Sequence, residues 1–228
     1  MRDQFRGSLQ QAGGWSSSGS GTAVSSVRTP DRKEVPFTRV SNGFEQFVNS
    51  LQVDQPLSVL DLAGASQANL TFLTGLGHRL SFEDLVGSLQ EFFGPGEGFD
   101  EQRISTHGSR FIQQMLDLPP ASVDAALVWD SLQFLCSPLV EQVVDRLLTA
   151  MRPGGSILAF FHADEKVSRV PLYQYRIQDS KTLLLTPRGS YRQVQHHNNR
   201  SLERMFERAH SLKFFLTRDH LREVIIKR

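Results

Sequence analysis

Two aspartates end short apolar runs in this 228-residue chain. Asp61 lies in Leu57-Ser-Val-Leu-Asp-Leu62, and Asp84 follows the run Arg79 to Glu83, 23 residues later. A carboxylate at the end of a strand either binds a ligand or caps nearby backbone. Seven histidines are present. His196 and His197 are adjacent, so a regular element cannot turn both toward one site, and they read as part of a polar loop rather than a metal pair. No His-Glu-x-x-His pattern occurs, and no metal site is predicted. His162 follows the apolar run Ile157 to Phe161. It is the candidate general base if an acceptor has a proton to lose; the alternative is a surface loop histidine. The single cysteine, Cys136, follows Phe134-Leu135 and reads as a small packed residue rather than a nucleophile. One cysteine also excludes a disulfide framework and any Cys-rich metal centre.

The elements that must hold these residues follow from periodicity. Val40, Phe44, Phe47, Val48 and Leu51 recur at helical spacing, with Ser41 or Asn42 as cap. A strand over 57–62 runs into Gly64, and Ala68, Phe72 and Leu76 fit a helix. Arg79 to Glu83 reads as a second strand. Leu85, Val86, Leu89, Phe92 and Phe93 mark a helix ended by Gly94-Pro95-Gly96. Phe111-Ile112 is assigned to a third strand and Val123 to Trp129 to a fourth. The stripe from Leu139 to Met151 is the clearest helix, and Ser156 to Phe161 is a fifth strand after Pro153-Gly154-Gly155. Tyr173 to Ile177 and Lys181 to Leu185 read as a hairpin, and Tyr173 and Tyr175 as lid or packing residues. Ser201 to Ala209 is helical. Leu212 to Thr217 and Leu221 to Ile226 read as a closing pair about Arg218-Asp219-His220. Alternating strands and helices predict an α/β domain: a mostly parallel seven-stranded sheet, helices on both faces, and an antiparallel C-terminal pair. Ligands then bind beyond the carboxyl ends of the strands, which points to residues 61–67, 84, 113–117, 129–133 and 162–166.

Composition sets the frame. From Gly7 to Ser26, twelve of twenty residues are Gly or Ser, too little apolar surface to offset ordering entropy. Residues 1–35 are expected to be a disordered tail and residues 36–228 one domain. No apolar run approaches the roughly 20 residues of a membrane span, and no signal peptide is predicted; the expectation is a soluble cytoplasmic protein. The net charge of +1 is a cancellation: +2 over 1–35, −7 over 36–187 and +6 over 188–228. The basic end, with Arg200, Glu203, Arg204, Glu207 and Arg208 at helical spacing, reads as a solvated ion-paired face, and a pI near 8 argues against a nucleic-acid partner.

The region 36–228 resembles a class I (Rossmann-like) S-adenosylmethionine-dependent methyltransferase. Val59-Leu60-Asp61-Leu62 resembles the family's first strand, and Asp84 falls on its second-strand acid. Asp124 to Leu135 resembles the fourth strand and its turn, and Met151-Arg-Pro-Gly-Gly-Ser-Ile-Leu158 the turn into the fifth. The resemblance implies S-adenosylmethionine as cofactor. Asp61 and Gly64 would order its loop, Asp84 would hold the ribose hydroxyls, Gln114 or Asp117 would take the adenine amino group, and Trp129 with Asp130 would line the methyl end. The sequence departs at the first loop, where Ala63, Ala65 and Gln67 stand at three positions that are usually glycine. The Asn/Asp-Pro-Pro-aromatic signature of amino-group methylases is absent, which argues against a nucleic-acid base as acceptor. Two functions stay open: methyl transfer to a small-molecule acceptor, or a catalytically silent methyltransferase-like domain that binds a partner.

Overall fold

Ser58–Asp61 and Val123–Trp129 are short and largely buried, and they become the neighbouring strands β2 and β4 of the main sheet. A computed structural model describes residues 35–94, 105–164, 166, 167, 169–192, 195–217 and 220–228. The expected tail lies outside the described residues except for Val35, as do the turn residues Pro95, Gly96, Arg218 and Asp219. The main sheet also contains β3 (Arg79–Phe82), β5 (Met151–His162), β8 (Ser211–Phe215) and β9 (Leu221–Lys227). Its order is β3-β2-β4-β5-β9-β8. β3, β2, β4 and β5 are parallel, and β9 is antiparallel to both β5 and β8. The chain leaves β2 outward for β3 and returns on the other side at β4, so the strand order reverses between β2 and β4, where α/β sheets bind ligands.

Both faces of the central strands are buried. Leu60, Ala126, Val128, Ile157, Ala159 and Phe161 face one core; Val59, Ala125, Leu127, Leu158 and Phe160 face the other. This is the period-two signature of a sheet covered on both sides. The first core is closed by helices α3 (Leu85–Phe93), α4 (Ser105–Met115), α5 (Ser137–Ala150) and α6 (Asn199–Met205). Leu139, Val140, Val143, Val144, Leu147 and Leu148 are all buried along α5, which has Pro138 in its first turn, where a missing N–H costs nothing. The second core is closed by α1 (Asn42–Ser50), by α2 (Gln67–Gly75) and by a separate three-stranded sheet of order β1-β7-β6. That sheet is made of β1 (Phe37–Val40), β7 (Thr182–Arg192) and β6 (Arg169–Ile177). Ser41 is the cap of α1, accepting from the Phe44 amide at 3.0 Å.

Several expectations need correction. Phe111 and Ile112 lie in a helix, α4, not in a third strand. Phe111 is buried against the rings of Phe92 and Phe93, a contact one helical face makes and an isolated apolar pair cannot specify. The main sheet therefore has six strands among the described residues, not seven. Val40 belongs to β1 rather than to the first helix, and the 173–185 hairpin is longer than expected and pairs with β1. The turn at Arg152–Gly155 lies within β5 as an irregularity against β4. A Cβ on Gly155 would meet the Asp124 carbonyl at 2.7 Å, which is why glycine stands there. Among the described residues, no helix is long and apolar enough to cross a membrane.

Candidate functional site

The carboxyl ends of β2 and β4 bring Asp61 and Trp129 into direct contact. Asp61 is fully buried. Its Oδ1 accepts from the Trp129 indole N–H at 2.7 Å and from the Ala63 amide at 3.0 Å, and its Oδ2 accepts from the Asn69 amide group at 2.8 Å. Burial raises its pKa, and the three hydrogen bonds oppose the rise. Asn69 is equally committed. It donates to the Tyr175 carbonyl at 3.1 Å and accepts from the Ile177 amide at 2.9 Å, so it fastens β6 onto α2. The Trp129 ring lies flat on Tyr175, with centroids 4.7 Å apart and planes 7° apart, and also packs on Phe44 and Phe160. Trp129 adopts a left-handed φ of 54°, a conformation that costs a bulky residue about 1–2 kcal/mol and persists only where packing over-determines it.

The second aspartate sits one strand outward. Asp84 is the N-cap of α3, and its Oδ1 accepts from the Gly87 amide at 2.9 Å. Its Oδ2 is paired with the Arg188 guanidinium at 2.9 Å, and the two side chains are 34% and 35% exposed. Gly64, at φ 83°, donates to the Glu83 carbonyl at 3.1 Å, and the neighbouring Ala63 bridges to Asp84. A Cβ on Gly64 would lie 3.3 Å from Asp84 Oδ2, so only glycine lets the loop approach the carboxylate this closely. Gln67 points away: it is exposed and donates to Thr71 at 3.2 Å.

Asp130 follows Trp129 and is buried. Burial pushes its carboxyl up to about 7, against the lowering effect of the Tyr173 amide, the neighbouring Tyr175 hydroxyl and the Arg188 charge. His162 ends β5. Its amide donates to Gln133 at 2.9 Å, its Nδ1 accepts from the Asp164 amide at 3.4 Å, and burial lowers its pKa. His162 is thus a half-buried strand end, not a surface loop. Of the paired histidines only His196 remains partly open. His197 lies in a loop, as expected, but is buried against Phe161, and burial lowers its pKa to about 4. Cys136 is buried, as a packed residue should be.

Gln114 does not join this group. It occupies an exposed position on α4, because the strand expected to carry it is a helix. Asp117 is exposed and pairs with Arg146 at 3.5 Å. The residues that sequence reasoning missed are Asn69, which joins Asp61 eight residues back to β6 about a hundred residues on, and Arg188, whose partner Asp84 lies about a hundred residues away. An open groove does run between α4, α5 and α6, lined by Gln113, Glu141, Asp145, His197 and Arg204 among others. It contains none of Asp61, Asp84 and Trp129.

No protein-family model matches the chain, and no curated protein matches it. Solved structures do. One is the 1,6-didemethyltoxoflavin-N1-methyltransferase of Burkholderia thailandensis with 1,6-didemethyltoxoflavin and S-adenosylhomocysteine bound. It is 13% identical, with 82% of this chain and 79% of that chain covered and a TM-score of 0.45. A SAM-dependent methyltransferase of Methanosarcina mazei is 11% identical, with coverages of 78% and 94% and a TM-score of 0.44. One from Leishmania major is 14% identical, with coverages of 82% and 70% and a TM-score of 0.45. The chain is similar to these in fold. The α/β, Rossmann-like architecture rests on its own strand order.

The two places where the resemblance puts S-adenosylmethionine differ in what the structure offers. Asp84 is a reachable carboxylate beside the only glycine of the 61–67 loop. The β2–β4 end, where the resemblance places the methyl end, is filled by Trp129 and Tyr175 packed on each other, with the Asp61 carboxylate saturated by three donors.

Proposed function

We propose that the chain is an S-adenosylmethionine-dependent methyltransferase with a small-molecule acceptor. The observation that carries this reading is Asp84, a partly exposed carboxylate at the carboxyl edge of the sheet, one strand from the reversal point. A ribose presents two hydroxyl donors, and an ionised carboxylate has acceptor sites for both. When bound, the cofactor supplies a sulfonium methyl group, whose in-line transfer depends mainly on positioning. Gly64 keeps side-chain atoms off the ribose carboxylate. Burial lowers the pKa of His162, and it serves as the base for an acceptor proton through Nδ1 once that nitrogen gives up the Asp164 amide.

A second reading has its own observation. Trp129, Tyr175 and Asp61 satisfy one another at the β2–β4 end. A domain that keeps this packing is a methyltransferase-like binding module without a cofactor, and fold alone does not choose between the two.

Melting the full chain with S-adenosylhomocysteine separates them. At 100 times its dissociation constant, a ligand adds about 2.7 kcal/mol, a rise of roughly 5–10 °C for a domain of this size. No shift at millimolar ligand overturns the methyltransferase reading in favour of the binding module.

A further inference from the structure

Arg188 reaches Asp84 because the β6–β7 ladder is broken at that point. Leu172 is paired with Gly189 and Tyr173 with Pro187, leaving Arg188 as the extra, unpaired residue of a bulge. A bulge re-aims one side chain out of the regular alternation. Here it is flanked by Pro187, which gives up a ladder donor, and by Gly189 at φ 144°. The opposite strand is held in place by the Tyr173 amide on Asp130 at 3.4 Å. The re-aimed guanidinium meets Asp84 Oδ2 at 2.9 Å. Of the two carboxylate oxygens, Oδ1 is already taken by the Gly87 amide, and Gly64 closes in on the Oδ2 side.

We propose that Arg188 is a latch on the nucleoside site, competing with ribose hydroxyls for Asp84 so that ligand entry requires the pair to open. This rests on the reading of Asp84 as the ribose acid. The pair is about one-third exposed on each side, so it is weak and screened by salt. The cost to an entering ligand is correspondingly modest, about two- to fivefold in affinity.

The test is titration calorimetry of the full chain with S-adenosylhomocysteine, whose net charge near neutral pH is close to zero. Arg188→Gln is expected to bind about two- to fivefold tighter than the native chain. The native affinity is expected to rise between 50 and 500 mM NaCl, while that of Arg188→Gln stays flat. The salt series needs no variant, so a poorly folding substitution does not remove the test. Weaker or unchanged binding in Arg188→Gln, with native affinity flat or falling in salt, makes Arg188 a ligand-binding or bystander residue and overturns the latch. Binding by neither protein overturns the methyltransferase reading and the latch together.

Discussion

The indole N–H of Trp129 donates to Asp61 across 2.7 Å, joining the carboxyl ends of two neighbouring parallel strands from residues 68 positions apart. The same indole stacks on Tyr175 of the second sheet. One side chain therefore ties the main sheet, the loop after β2 and the covering sheet together. Trp129→Phe keeps most of the stack and removes the donor. Asp61, buried and left with two donors instead of three, should make the folded state about 1–3 kcal/mol less stable. A urea titration by far-ultraviolet circular dichroism reads this as a lower midpoint at unchanged slope. A loss below about 0.5 kcal/mol would mean that the bond does not hold the strand ends together.

A buried ion pair fastens β1 to β9 beside Phe160, which packs on Trp129. Arg39 of β1 meets Glu223 of β9 at 2.7 Å, and the other Glu223 oxygen accepts from the Gly43 amide at 2.6 Å. Both side chains are almost fully buried, and the Arg39 guanidinium also lies over the Phe160 ring. Removing one partner strands the other charge in the core. Glu223→Gln should cost about 3–5 kcal/mol, and Arg39→Met a similar amount. The double substitution should cost clearly less than the two added together, because neither charge is then left unpaired. Additive losses would show that the pair is not coupled.

Local patterns carried much of the fold into view. The apolar runs at β2, β4 and β5, the stripe of α5 and the Ser41 cap all depend on residues within a few positions of one another, and each formed where periodicity placed it. Phe111-Ile112 failed because two adjacent apolar residues satisfy either period, and the contact with Phe92 and Phe93 decided for a helix. In the second sheet the β6–β7 hairpin was legible, but its third strand was not, for another reason. β1 pairs with β7 across some 145 residues, and its exposed–buried alternation is too short to announce a partner. At the site, Asp61, Asp84 and Trp129 were marked by strand ends. Arg188 was not, since a residue turned by a bulge leaves no trace in its own neighbourhood.

Two buried aspartates and a buried histidine give stability pH dependences of opposite sign. Asp130 has a raised pKa of about 7, well above the roughly 3.9 of an unfolded aspartate. Between these values the folded state holds the extra proton, so this group makes stability fall as pH rises from about 4 to 7. Asp61 acts in the same sense. His197 has a lowered pKa of about 4, below the roughly 6.5 of an unfolded histidine. There the unfolded state takes the proton, so this group makes stability rise as pH climbs from about 4 to 6.5. The native chain should therefore show a shallow profile over the shared window. Asp130→Asn should tilt the profile toward a rise between pH 4 and 6.5 and increase stability at pH 8. His197→Phe should expose the opposing fall. Urea midpoints at half-unit pH steps read these slopes, and parallel profiles for all three proteins would refute the assignment.

Gly87 offers a way to separate binding from folding at Asp84. It lies in the first turn of α3 and donates its amide to the Asp84 carboxylate that caps the helix. A Cβ there would stand 2.8 Å from Asp84 Cγ and Oδ2, so Gly87→Ala must push the carboxylate out of its present position. Losing the cap costs about 1 kcal/mol, while replacing glycine by alanine inside a helix returns about 0.8–1 kcal/mol. The two nearly cancel, so the melting temperature without ligand should move by only a few degrees. Ligand binding has no such compensation, because Asp84 no longer sits against Gly64. The melting shift produced by S-adenosylhomocysteine in the native chain should be lost or strongly reduced in Gly87→Ala, as in Asp84→Ala. A variant that melts like the native chain and keeps its full ligand shift would place the ribose carboxylate elsewhere.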